Sequence, residues 1–176
     1  MNKKILLILF LLILMVIFVG QRFFILQAEK NILKTDESIF TLGNNQLDKA
    51  IKDYFLSQER FSWKTVDDSC NFCIFENLNS ENGLFPFYLW LRCGEFIIDG
   101  KEVKEKSGMS GPVKIDYPNE LSFYDLQKFS YVLPRDGSLY SDDIKNIFPS
   151  NLQERIKNFD STIINERIKN VARESF

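Results

Sequence analysis

The stretch LFPFYLWLRCGEFIIDG, residues 84–100, decides the fold that the sequence predicts. It is long, apolar and aromatic, and it ends at Asp99-Gly100, a dipeptide typical of two-residue hairpin turns. We therefore predict a long strand over residues 84–98 that turns back into a second strand. Successive side chains of a strand point to opposite faces. One face takes Tyr88, Trp90 and Arg92, and the other takes Phe85, Phe87, Leu89, Leu91 and Cys93.

Three more strands and one helix are predicted around this stretch. Asn71–Leu78 forms the strand before it, Val103–Tyr117 the strand after it, and Leu121–Leu133 a fourth strand. Ahead of the strands, a helix begins at Asn45, because apolar residues recur there at helical spacing. These residues are Leu47, Ala50, Ile51, Tyr54 and Phe55. One helix followed by an antiparallel meander predicts an α+β domain over residues 45–149, with one face of the sheet under the helix and the other face open.

The C-terminal part of the chain predicts further helices. A short helix begins at Ser141 and stops at Pro149. Residues 150–176 then predict one amphipathic helix with apolar residues along one side. These are Leu152, Ile156, Phe159, Ile163, Ile168 and Val171. We favour packing of this helix against the domain, and the alternative is a short coiled coil with a second copy.

The N-terminus has the pattern of a membrane anchor. Lys3 and Lys4 precede an unbroken apolar run, Ile5–Gly20, which would rise about 24 Å as a helix. The basic start predicts a cytoplasmic N-terminus and an extracytoplasmic domain. We therefore predict a single-pass transmembrane anchor over residues 1–26 and a stalk over residues 27–44. The alternative is a signal segment that is cleaved, which would release a secreted protein.

The composition argues against several classes of function. The chain has no histidine, which removes Ser-His-Asp and Cys-His catalysis and most zinc sites that contain histidine. Its 22 basic and 24 acidic residues give a net charge of −2, so the protein has no overall positive electrostatic potential that would attract nucleic acid. The sequence predicts no catalytic residue, no metal ligand and no cofactor.

The three cysteines, Cys70, Cys73 and Cys93, offer one disulfide. Cys70 and Cys73 form a C-x-x-C motif, but the motif lies at the start of a predicted strand. Redox-active C-x-x-C motifs lie at a helix N-terminus, which lowers the pKa of the thiol. A hairpin turn centred on residues 80–83 would place Cys70 opposite Cys93, at a distance that a disulfide accepts. We therefore predict Cys70 and Cys93 as the disulfide candidate, with buried free thiols as the alternative.

The face that carries Tyr88, Trp90 and Arg92 is the predicted binding surface. It combines two amphipathic aromatic residues with a guanidinium group, a mixture common at interfaces and at carbohydrate or peptide surfaces. The alternative is that the C-terminal helices cover this face.

The order of elements resembles the cystatin-like or NTF2-like shape, in which a helix packs on a curved antiparallel meander. Residues 87–96 (FYLWLRCGEF), 107–113 (SGMSGPV) and 134–140 (PRDGSLY) are similar to uncharacterised bacterial membrane-anchored or secreted domains of this shape. The resemblance spans about residues 47–149. It implies a fold and an extracytoplasmic location, and it implies no activity.

Together these observations predict a membrane-anchored extracytoplasmic module that binds a protein or a small ligand without catalysis. The predicted partners are the membrane, through residues 1–26, and that protein or ligand, whereas nucleic acid is not predicted. Two alternatives stay open. One is an enzyme that uses the concave sheet as a pocket, with an Asp or a Tyr as general base. The other is an assembly protein that oligomerises through residues 150–176.

Overall fold

A computed structural model describes residues 45–79, 85–118 and 125–176. The helices are α1 (Asn45–Ser57), α2 (Tyr140–Ile147), α3 (Ser150–Lys157) and α4 (Thr162–Ser175). The strands are β1 (Cys70–Asn77), β2 (Phe87–Asp99), β3 (Glu102–Asp116) and β4 (Ser130–Val132). Two short 3₁₀ helices, Leu126–Lys128 and Gly137–Leu139, precede β4 and α2.

The four strands form one antiparallel sheet in the order β1-β2-β3-β4. At the turn between β2 and β3, Gly100 has a φ of +68°, a conformation that other residues rarely adopt. Glu95 pairs with Ser107 and Phe96 pairs with Glu105, so one extra residue bulges out of β3 between them. The predicted α+β class, the four-stranded antiparallel sheet and the C-terminal helices are confirmed.

The fourth strand is much shorter than predicted. The sequence predicted a strand over Leu121–Leu133, but only Ser130–Val132 pairs with β3, and residues 119–124 lie outside the described part of the chain. A 3₁₀ turn comes first because the Asp125 carboxylate accepts a hydrogen bond from the backbone N–H of Gln127 at 3.0 Å. As a result, β3 extends well beyond the strand that pairs with it.

Helices cover both faces of the sheet. On one face, α1 closes a core made of side chains from α1 and from the inward-facing positions of the strands. Its members include Leu47, Ile51, Phe55, Phe61, Phe87, Leu89, Leu91, Val113 and Ile115. On the other face, α3 and α4 bury the apolar residues Leu152, Ile156, Ile164, Ile168 and Ala172. The prediction that this face is open is therefore wrong. The alternative is correct, because the C-terminal helices cover the face.

The C-terminal segment contains two helices where the sequence predicted one. The first helix ends at Lys157 and the second begins at Thr162. The break is stabilised by a local turn in which the Asp160 carboxylate accepts a hydrogen bond from the Thr162 N–H at 2.9 Å. The break places Phe159 between the two helices, where its ring faces the sheet.

Within residues 45–79, 85–118 and 125–176, no helix combines the length and the apolar character needed to cross a membrane. The predicted anchor at residues 1–26 and the predicted stalk at residues 27–44 lie outside these described residues.

Candidate functional site

The three residues of the predicted binding surface lie on the helix-covered face of β2. Tyr88 is half-buried, and its ring packs against Phe148 with 5.7 Å between the centroids. Trp90 is also half-buried, and its indole N–H donates to the Ser110 hydroxyl at 2.8 Å. The three side chains therefore do not form an open surface, although Trp90 keeps access to solvent.

Arg92 is buried and holds other elements together. Its Nε donates to the side-chain oxygen of Asn165 on α4 at 2.8 Å. Its Nη1 donates to the carbonyls of Cys93 and Met109 at 2.5 and 3.3 Å, and its Nη2 pairs with the Glu105 carboxylate. Because only 7% of Arg92 is exposed and its donors are used internally, it joins β2, β3 and α4 and is not displayed for a ligand.

A groove opens beside Trp90, between the sheet and helices α2 and α3. We call it the Trp90 groove, and its volume is about 440 Å³. Its lining is Trp90, Tyr140, Ser141, Ile144, Lys145, Gln153, Ile156, Lys157 and Phe159. Ile144 and Ile156 are buried, and Trp90 lies flat against Phe159. The groove thus has an apolar and partly aromatic floor with polar groups at its rim.

Both charged residues in the lining of the Trp90 groove are lysines. Lys145 lies 3.6 Å from the Asp142 carboxylate on the preceding turn of α2, and both side chains are mostly exposed. Lys157 is exposed in the last turn of α3. Tyr140 contributes a phenol whose pKa is raised by burial and by the nearby charge of Asp136. This arrangement favours a ligand with an apolar body and an anionic end.

The sequence did not indicate Lys145, Lys157 or Phe159 as site residues. The sequence pattern assigned Phe159 to the apolar side of one continuous helix and gave it no role in binding. No local pattern marks the two lysines, because they line the same groove as Trp90 only once α2 and α3 lie across the sheet. The one local clue was Asp160, because an aspartate that accepts a hydrogen bond from the N–H two residues later favours a turn, and a turn there would have moved Phe159 off the stripe.

Glu95 is fully buried but accepts hydrogen bonds from several donors. They are the Ser69 hydroxyl (2.6 Å), the Thr65 hydroxyl (2.7 Å), the Thr65 N–H (2.6 Å), the Val66 N–H (3.2 Å) and the Ser107 hydroxyl (2.8 Å). Burial raises the pKa of Glu95, but the hydrogen bonds from Ser69, Thr65 and Ser107 outweigh it and lower the pKa to about 2. Glu95 is therefore an ionised anchor for the loop between α1 and β1, and it is a poor general base.

Asp143 is the second carboxylate with a strongly lowered pKa. It accepts three hydrogen bonds from Arg135, from the side-chain Nε and Nη2 and from the backbone N–H, at 2.7–2.8 Å. The side-chain and backbone hydrogen bonds from Arg135 lower the pKa of Asp143 to about 2. This pair fastens the loop after β4 to α2, which forms one wall of the Trp90 groove.

The predicted disulfide between Cys70 and Cys93 is wrong. β1 and β2 pair with Cys73 directly opposite Cys93, their Cα atoms are 4.2 Å apart, and these two residues form the disulfide. Cys70 lies opposite Phe96, and its thiol is free and exposed. The register differs by three residues from the one that a turn centred on residues 80–83 would give.

Within the described ranges, no group of three carboxylate or cysteine side chains is arranged to hold a metal ion. No protein-family model, curated protein or solved structure matches this chain.

Proposed function

We propose that this chain is a membrane-anchored binding module without catalytic activity, and that its extracytoplasmic domain binds amphipathic anions in the Trp90 groove. Residues 1–26 are proposed as the anchor, with the N-terminus in the cytoplasm. The observation that carries the binding proposal is the pairing of an aromatic floor, Trp90 on Phe159, with a rim whose charged residues are Lys145 and Lys157.

The size and chemistry of the groove support a small ligand. A volume of about 440 Å³ lies within the range of ligand pockets. An apolar chain laid on Trp90, Ile144 and Ile156 gains about 0.8 kcal/mol for each buried CH₂. A carboxylate at the end of that chain reaches the lysines, which attract it and repel a cation.

The binding test uses Trp90 as the reporter. Replacement Trp63→Phe leaves Trp90 as the only tryptophan of the full chain, which is reconstituted in lipid nanodiscs. The probes are octanoate and its neutral analogue octanamide. We expect octanoate to change the Trp90 fluorescence at lower concentration than octanamide.

The lysines are tested by a charge-matched pair of variants. Lys145→Gln/Lys157→Gln should weaken octanoate binding by roughly 5- to 10-fold and leave octanamide binding unchanged. The control Lys104→Gln/Lys169→Gln removes the same charge from lysines outside the groove and should change neither probe. Equal binding of the two probes, or no response of Trp90 to either, would contradict the proposed ligand class.

The proposed location is tested with the Cys70 thiol, which is exposed. A membrane-impermeant maleimide added to intact cells or spheroplasts should label Cys70 of the full-length chain, and the labelled chain should sediment with membranes. Labelling only after lysis would contradict an extracytoplasmic domain. Recovery of a shortened, labelled chain in the medium would replace the anchor by a cleaved signal segment.

A further inference from the structure

We infer that Tyr140 sets the length of the ligand that the Trp90 groove accepts, because its ring closes one end of the groove. The ligand class then narrows to amphipathic anions with a short apolar chain, such as octanoate. A longer chain gains little affinity from its outer carbons, because they stay in water. Since it concerns the ligand of the Trp90 groove, this inference rests on the function proposed above.

A second groove lies beside β3, near the point where β4 ends. We call it the Trp63 groove, and its volume is about 280 Å³. Its apolar lining includes Trp63, Met109, Leu133 and Pro134. The first three of these residues pack against the core under α1, so they are held in place. The parts that face the groove offer a surface that an alkyl chain can contact.

The two grooves meet in the sheet. Trp90 lines the Trp90 groove, whereas Ser110 and Pro112 line the Trp63 groove. Trp90 and Pro112 are directly opposite partners in β2 and β3. The Trp90 indole N–H also donates to the Ser110 hydroxyl at 2.8 Å. The floor of one groove is therefore in direct contact with the floor of the other.

Tyr140 lies at the same boundary, on the side of the helices. It is the first residue of α2, and in the part of the chain that the structure describes it is the one residue that the two linings share. Its pKa is raised first by burial and then by the charge of Asp136, which lines the Trp63 groove. The phenol thus lies between the grooves, and we place its ring across the path from one to the other.

The main chain at Tyr140 is held, so its side chain controls the opening. Its backbone N–H donates to the Gly137 carbonyl. Three hydrogen bonds between Arg135 and Asp143 fasten the preceding loop to α2. The Tyr140 side chain itself is 37% exposed and is not part of the buried core. A shorter side chain at this position should therefore open the boundary and leave the domain folded.

The charges place the two ends of the ligand. Lys145 follows Tyr140 on α2 by about 7.5 Å along the helix axis. A carboxylate near Lys145 and Lys157 whose chain runs toward the start of α2 therefore meets the Tyr140 ring after a short distance. Beyond the ring, Arg60 and Asp136 give the Trp63 groove one charge of each sign. That groove consequently suits an uncharged tail and does not attract a second anionic end.

The length limit has a measurable size. Burial of one CH₂ strengthens binding by about fourfold. Dodecanoate is longer than octanoate by four CH₂ groups, so their full burial would strengthen binding by up to about 200-fold. The ordering of the chain offsets part of this gain. We expect removal of the Tyr140 ring to favour dodecanoate over octanoate by at least about tenfold relative to the wild type.

The test measures both probes on the full chain in lipid nanodiscs, with free concentrations set by dialysis against empty nanodiscs. In Tyr140→Ala, the ratio of dodecanoate affinity to octanoate affinity should rise at least about tenfold. Tyr140→Phe keeps the ring, so its ratio should stay within about twofold of the wild type. Leu139→Ala is the matched control, since Leu139 is 43% exposed and lies in neither lining. It should leave the ratio unchanged.

The indole N–H signals of the two tryptophans show where the chain of the ligand lies. Octanoate should shift the Trp90 signal alone in the wild type and in every variant. Dodecanoate should also shift the Trp63 signal, but only where the Tyr140 ring has been removed. Tyr140→Leu shortens the side chain and keeps an apolar wall, so it should change the ratio and the Trp63 signal in the same direction. The comparison therefore does not depend on the folding of one variant.

The results separate the length limit from the proposed function. If octanoate shifts Trp90 but Tyr140→Ala and Tyr140→Leu both bind dodecanoate as the wild type does, the length limit is overturned and the ligand class stands. A shift of Trp63 by dodecanoate in the wild type also overturns the limit, since the chain then passes the ring. If octanoate does not bind the wild type, the proposed function is overturned and the length limit with it.

Discussion

The Trp90 indole lies flat against the Phe159 ring, with 4.0 Å between the centroids and 9° between the planes. One ring belongs to the middle of β2 and the other to the break between α3 and α4. This contact seats both C-terminal helices on the sheet. One side of Trp90 remains in the lining of the Trp90 groove. The packing of the helices and the candidate site therefore both depend on the Trp90–Phe159 pair.

The first prediction concerns this stacked pair. Phe159→Ala should lower the free energy of unfolding by about 2 kcal/mol, because a half-buried aromatic ring and its stacking are lost. The Trp90 emission should move to longer wavelength as water reaches the indole. Ile163→Ala is the control, since Ile163 is 65% exposed and should change stability by less than about 0.5 kcal/mol. Similar losses in the two variants would contradict the role of Phe159.

The second prediction compares two glycines of β3. A Cβ atom on Gly108 would overlap the guanidinium of Arg92 and the carboxylate of Glu105, whereas a Cβ atom on Gly111 would meet open space. Gly108→Ala should therefore displace Arg92 and cost about 2 kcal/mol of stability, and Gly111→Ala should be within about 0.5 kcal/mol of the wild type. Chemical denaturation of both variants checks this, and equal stability would contradict the buried position of Arg92.

The third prediction concerns the buried carboxylate of Glu95. Glu95→Gln should cost about 2–3 kcal/mol at neutral pH, because a charged acceptor of several hydrogen bonds is lost. The exposed Glu59→Gln should have little effect.

The same residue predicts a pH dependence. The pKa of Glu95 falls from an ordinary value of 4.5 to about 2 on folding, so its stabilisation is complete above about pH 4.5 and is lost as the pH falls toward 2. Asp143 adds to the loss in the same acidic range. Between pH 5 and pH 2, the free energy of unfolding should fall less steeply with decreasing pH in Glu95→Gln than in the wild type. Equal slopes in the two proteins would contradict the lowered pKa of Glu95.

The fourth prediction concerns the cysteines. Peptide mapping without reductant should find Cys73 joined to Cys93 and Cys70 alkylated. Cys93→Ala should cost about 3 kcal/mol, because the two cysteines are separated by 20 residues in the chain and their link restricts the unfolded state. Cys70→Ser should leave stability nearly unchanged. A map with Cys70 joined to Cys93 would restore the register expected from the sequence.

The sequence was sufficient where local rules act. The alternation over residues 84–98 and the Asp99-Gly100 turn predicted β2, and the return strand followed from them. The register of β1 was not predictable in the same way. Residues 79–83 contain several turn-forming side chains, and each possible turn centre gives a different partner for Cys93.

Long-range packing explains the remaining errors. The apolar spacing from Leu152 to Val171 is compatible with one helix, so the break was missed even though Asp160 can accept a hydrogen bond from the Thr162 N–H and turn the chain there. Nothing near Trp90 in the sequence indicates that Lys145 and Lys157 line the same groove. Their approach depends on how α2 and α3 lie across the sheet, which tertiary packing decides.

The most direct measurement uses the two indole N–H signals of the unmodified chain in a ¹⁵N NMR spectrum, one from Trp63 and one from Trp90. Octanoate should shift the Trp90 signal in a saturable way and leave the Trp63 signal in place. A shift of Trp63 alone, or of neither signal, would contradict an amphipathic-anion site in the Trp90 groove.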